Sequence, residues 1–124
     1  PVNQCDALLC EIGVELRTAL IDDLAAQGSL PLPFYPDLVE TDNPASGFVL
    51  TVYSPRFSTG YFPQRNRWTV LVETHSWKPY ATRVRVTQNT ITGLIKLMAK
   101  SGADWLGAAR GADAAAAGSP ENMV

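Results

Sequence analysis

The stretch WTVLVE, Trp68 to Glu73, decides how the rest of the chain is read. Its centre, Val70-Leu71-Val72, is apolar without alternation, the pattern of a strand covered on both faces in a parallel or mixed sheet. It ends in an acid and is followed by Thr74 and His75. In open α/β sheets the ligand crevice opens beyond the carboxyl ends of the strands. The run therefore predicts that Glu73 is delivered to such an edge. Glu73 is the only acid between Asp42 and Asp104, and His75 is the only histidine of the chain. Residues two apart on an extended segment face the same way, so both are expected to reach one crevice. The plainer alternative is a Glu73 that pairs with Arg65 or Arg67 and a His75 that hydrogen-bonds a loop.

Outward from that run, the segment toward the N-terminus, Arg56 to Arg67 (RFSTGYFPQRNR), is too polar for a core strand and predicts a long loop of the kind that carries function. Gly47 to Tyr53 (GFVLTVY) predicts a second strand, rich in β-branched and aromatic residues and closed by Pro55. Leu30 to Ser46 holds Pro31, Pro33, Pro36, Asn43 and Pro44 and predicts a connection. Asn3 to Gln27 predicts one amphipathic helix, with Leu8, Ile12, Leu16, Ala19, Leu20 and Leu24 at helical spacing and Gly28 as its stop. Cys5 and Cys10, read as five residues apart on that helix, point in different directions and are expected to be small apolar residues that do not bridge.

Toward the C-terminus, a helix is expected from about Thr82 to Lys100, with Val84, Thr87, Ile91, Leu94, Ile95 and Met98 as its apolar stripe and Gly102 as its break. Ala103 to Ala117 predicts a separate, alanine-rich helix. The domain division expected is 1–102 for the α/β part and 103–124 for the alanine-rich helix and tail. Two strands make a poor sheet, so the sequence predicts an incomplete α/β domain. The absence of an initiator Met before Pro1 agrees with a piece of a longer chain.

Composition narrows the function classes. The chain has 124 residues, 46% hydrophobic and 18% charged, with a net charge of −2, which argues against a disordered segment or a generally basic nucleic-acid binder. No apolar run has the length of a membrane span. Charge is divided unevenly. Arg56, Arg65, Arg67, Lys78, Arg83 and Arg85 face one acid, Glu73, between positions 56 and 85, whereas the first 42 residues hold eight acids and one base, Arg17. A cationic stretch in an acidic chain predicts a local field for an anionic ligand. No G-x-S-x-G elbow, phosphate loop or H-E-x-x-H pair is present.

The residues Ser54 to Val86, SPRFSTGYFPQRNRWTVLVETHSWKPYATRVRV, resemble the C-terminal part of the catalytic domain of bacterial zinc carboxypeptidases. What the resemblance implies is a hydrolase with a mixed, mostly parallel sheet sandwiched by helices, of which this chain holds the last strands and closing helix. It implies zinc held by ligands outside this chain, in residues preceding Pro1, and a peptide or peptide-like substrate with a free carboxylate. It gives Glu73 the role of general base and acid on water. It makes Tyr61 the substrate-closing tyrosine, with Tyr53 a poorer candidate, and implies substrate contacts at Arg56, Ser58 and His75. An N-acyl amino-acid deacylase of the same fold is an alternative. A non-catalytic cationic module, in which Phe57, Tyr61, Phe62, Trp68, Trp77 and Tyr80 stack on single-stranded nucleic acid, is a third reading from a different class.

Overall fold

The computed structural model describes residues 6–35, 37–51 and 53–118. Three helices carry it: α1 (Ala7–Ala26), α2 (Ser58–Gln64) and α3 (Tyr80–Ala117). Strands β1 (Asp37–Leu38) and β2 (Phe48–Val49) pair antiparallel, Asp37 opposite Val49 and Leu38 opposite Phe48, around a 3-10 turn at Pro44–Ser46.

α1 starts and stops on local chemistry. Asp6 caps its N-terminus by accepting from the Leu8 amide at 3.0 Å, which satisfies one of the helix's orphan donors. At the other end Gly28 takes a φ of +80°, the Gly28 amide donates to Ala25 and the Ser29 amide to Leu24. Those two bonds form a Schellman stop, which requires the left-handed residue that glycine supplies. The helix therefore ends where the sequence predicts.

α1 and α3 pack antiparallel. Leu9, near the start of α1, is buried against Ala109 and Ala112 near the end of α3. Leu20 and Asp23, near the end of α1, approach Gly93 in the first half of α3. Leu16, Leu20 and Leu24 are buried as expected, each contributing ~2 kcal/mol, but it is Leu9 and not Leu8 that completes the row. On α3 the contacts are made by small residues, Thr90, Gly93, Ala109 and Ala112. Thr90 is buried at no polar cost, because its hydroxyl donates to the Val86 carbonyl at 2.8 Å.

Several expectations are corrected here. No mixed, mostly parallel sheet sandwiched by helices exists among the described residues; the chain is mostly helical with one two-stranded antiparallel sheet. A strand covered on both faces needs bonded neighbours and an apolar layer on each side, and the described residues supply neither to 68–73. That segment has no regular structure, and Val70, Leu71 and Val72 are exposed. The strand expected over Gly47–Tyr53 contracts to Phe48–Val49, with Val52 outside the described residues.

The polar loop expected over 56–67 contains α2. Its Gly60 lies against the Tyr53 and Ser54 carbonyls so closely that a Cβ has no room. α3 starts at Tyr80 and passes through Gly102 without a break. An interior glycine costs a helix only about 1 kcal/mol, and the packing of Trp105, Ala109 and Ala112 beyond it offsets that cost. The stripe Val84, Ile91, Ile95 and Met98 is exposed, since α1 packs on the small-residue face instead. Cys10 is disulfide-bonded, against the expectation of a thiol. The expectation assumed a helix from Asn3, whereas α1 begins at Ala7; Cys5 lies outside the described residues.

Candidate functional site

Trp68 anchors the segment that carries Glu73. Its indole N–H donates to the Leu9 carbonyl at 2.9 Å, and its ring lies 6.1 Å from that of Trp105. Gly13 on α1 lies against it, and a Cβ there would stand at ordinary contact distance, 3.4 Å from the indole. The segment then runs back along α3. Thr74, six residues later, lines a groove with Tyr80, Arg83, Thr87 and Ile91. Between Trp105 and Ile91 a helix advances roughly 21 Å, so the six residues after Trp68 carry the chain from the far part of α3 toward its start. Glu73 directly precedes Thr74 in the chain and is not itself among the residues that line the groove.

Glu73 is exposed and makes no hydrogen bond or ion pair among the described residues. The plainer alternative for it needed Arg65 or Arg67. Arg67 instead forms a two-pronged pair with Asp113, Nη1 to Oδ1 at 3.1 Å and Nη2 to Oδ2 at 2.8 Å. Asn66 adds a bond from Nδ2 to the same Oδ1 at 3.1 Å. The Arg67 and Asn66 hydrogen bonds hold the Asp113 carboxyl below its ordinary value. The hydrogen bond to Asp113 holds the Arg67 guanidinium above its own. One arginine of the cationic stretch is thus taken up at α3 and is not offered to Glu73.

His75 is exposed and shapes a turn. Its Nδ1 accepts from the Trp77 amide at 3.2 Å, its carbonyl accepts from the Lys78 amide at 3.0 Å, and its ring meets Trp77 edge-on at 5.4 Å. An accepting Nδ1 places the proton of the neutral ring on Nε2. Tyr61 and Ser58 lie on α2 and are exposed; Tyr61 packs edge-on against Phe62 at 5.5 Å. Arg56 stacks over Phe57 at 5.2 Å, and Phe57 also meets Tyr53 at 5.7 Å. No hydrogen bond, ion pair or ring contact joins Arg56, Ser58, Tyr61 or His75 to Glu73 among the described residues.

Sequence reasoning did not single out Thr74 and Arg83. The groove they line holds about 490 Å³ and is open to solvent. Arg83 was legible only as one member of the cationic stretch, because its place beside Thr74 depends on how 68–74 lies along α3.

The described residues do not fit a zinc site of their own. No group of three or more His, Cys, Asp or Glu side chains is close enough together to hold a metal. Glu73 and His75 fall short of the three protein ligands a catalytic zinc takes. Comparison of the chain with family models, with curated proteins and with solved structures finds no match.

Proposed function

We propose that this chain carries the general base and acid of a zinc-dependent metallocarboxypeptidase, with Glu73 as that residue and the metal ligands on residues other than those described. The observation that supports it is the free state of Glu73. It is a lone, exposed carboxylate at the end of an apolar segment, and the nearest arginine in sequence that would neutralise it is held by Asp113. A carboxylate that makes no internal bond is available to take a proton from an attacking water and to return it to the leaving amine. Zinc would acidify that water and polarise the scissile carbonyl. The reading draws on the resemblance of Ser54 to Val86 and needs no particular sheet.

The test is hydrolysis by the full product of the gene, assayed with zinc on a blocked dipeptide with a free C-terminus and, separately, on an N-acyl amino acid. Release of the C-terminal residue of the peptide is expected, with kcat falling on the order of 10²-fold or more in Glu73→Gln at unchanged zinc content. Cleavage of the acyl amino acid alone would place the substrate with the deacylases. Near-normal kcat in Glu73→Gln, or hydrolysis of neither substrate, would overturn the proposal.

A further inference from the structure

The first half of α3 has two faces, and α1 covers one of them. Gly93 lies against Leu20 and Asp23 of α1, and Thr90 is buried one turn before it. On the opposite side Val84, Gln88, Ile91, Ile95 and Met98 are exposed. They follow one another at alternating intervals of four and three residues, the a/d spacing of a coiled-coil seam. At 3.6 residues per turn all five fall within roughly 80° of the helix surface. Val84, Gln88 and Ile91 also line the open groove that Thr74 borders, so the seam begins in a trough.

The charge beside this seam has one sign. Arg85, Lys96 and Lys100 are exposed on the same flank, and their side chains make no hydrogen bond or ion pair among the described residues. No acid stands between Glu73 and Asp104. A second α3 laid on the seam would set these cations against their own copies, which makes the chain itself a poor occupant. A membrane-binding face is broad and open on both sides, whereas this one is narrow and enters a groove. We propose that the seam docks an amphipathic helix of another protein, apolar at a/d spacing and acidic along one flank. Its apolar side chains would cover Val84, Ile91, Ile95 and Met98, and its carboxylates would meet Arg85, Lys96 and Lys100. The proposal is independent of zinc and of Glu73.

The probe is a synthetic helix of about three heptads with Leu at a and d and Glu on the flanking positions. A second peptide carries Lys in place of every Glu. Each is labelled and titrated with the purified chain while fluorescence anisotropy is followed. Saturable binding of the Glu peptide, weakening as salt is raised, is expected, with the Lys peptide at least tenfold weaker. The double variant Ile91→Ser, Ile95→Ser should weaken the Glu peptide about tenfold or more. Exchanging the charges in Arg85→Glu, Lys96→Glu should reverse the preference between the two peptides. Leu8→Ser removes an exposed apolar side chain of α1, away from the seam, and should leave binding unchanged.

Equal binding of the two peptides, or a preference that survives the charge exchange, would overturn the proposal. So would equal loss in Leu8→Ser, which would mark the binding as non-specific. Circular dichroism checks that each variant keeps the parent's helicity; if the isoleucine variant does not, the charge exchange decides. Vesicles of phosphatidylcholine and phosphatidylserine provide a further arm. Binding to them that is lost in the isoleucine variant, with no binding of the Glu peptide, would give the seam to a membrane surface and reject the helix. Loss of peptide binding in the full product of the gene would mean that the seam is covered from within the same polypeptide, and would reject it as well.

Discussion

Arg67 and Asp113 are 46 residues apart and meet through two parallel hydrogen bonds, at 3.1 and 2.8 Å. The pair ties the turn after α2 to the last part of α3, one residue before Trp68 enters between α1 and α3. The segment bearing Glu73 is therefore fixed at its start by a charged clamp and an aromatic anchor. Beyond them Val70, Leu71 and Val72 are exposed.

The clamp has a pH signature. Asp113 is held below its ordinary value of about 3.8, chiefly by the bond from Arg67. A depressed carboxyl contributes stability that is present above its unfolded value and is lost as pH falls through the lower, folded value. Thermal melts across about pH 2 to 6 should show Tm falling on the acid side below about pH 4. Asp113→Asn should flatten part of that fall and lower Tm only slightly at neutral pH, since exposed pairs contribute little. An acid limb identical in Asp113→Asn and the parent would assign the effect to other carboxyls.

Trp68 should matter more than its partial exposure suggests. Trp68→Phe keeps an aromatic ring against Trp105 but leaves the Leu9 carbonyl without its donor. The expected loss is about 1–2 kcal/mol, read from urea unfolding followed by circular dichroism. A loss below a few tenths would mean that the indole bond to α1 does not hold the segment in solution.

At Gly93 the two long helices come close together. A Cβ there would stand 2.9 Å from Asp23 Oδ2 and 3.2 Å from Leu20 Cδ1. Gly93→Ala sets a helix-propensity gain of about 1 kcal/mol against a contact that a flexible Asp23 can partly relieve, so little net change is expected. Gly93→Leu has no such relief and should destabilise by about 1–3 kcal/mol through overpacking. Equal melts for Gly93→Leu and Gly93→Ala would show that α1 and α3 do not pack at this point.

The uncovered apolar residues predict association. Val70, Leu71 and Val72 lie at 39–50% exposure, and Ile91, Ile95 and Met98 at 52–58%. Exposed apolar surface of this kind binds hydrophobic dyes and drives self-association. The purified chain should sediment with a mass that rises with concentration, and the double variant Leu71→Ser, Ile95→Lys should reduce both that rise and the dye signal. A concentration-independent monomer that binds no dye would show that these residues are covered in solution.

The sequence by itself determined the parts that rest on local chemistry. Asp6, the apolar spacing of Leu16, Leu20 and Leu24, and the left-handed Gly28 specify α1, because each acts within one or two turns of its own position. Glu73 was legible as a lone acid after an apolar run for the same reason, since isolation in sequence is visible without coordinates. Tertiary structure decided the rest. An apolar run becomes a covered strand only if partners lie on both edges and both faces, and that depends on residues distant in the chain. Trp68 instead finds Leu9 and Trp105, 59 and 37 positions away. The same holds for α3: its side chains predicted a core stripe at Ile91, Ile95 and Met98, but Gly93, Ala109 and Ala112 allow the closer approach, and α1 packs there. Arg67 was equally suited to Glu73 or to Asp113 by charge, and only the path of the chain after α2 puts it against Asp113.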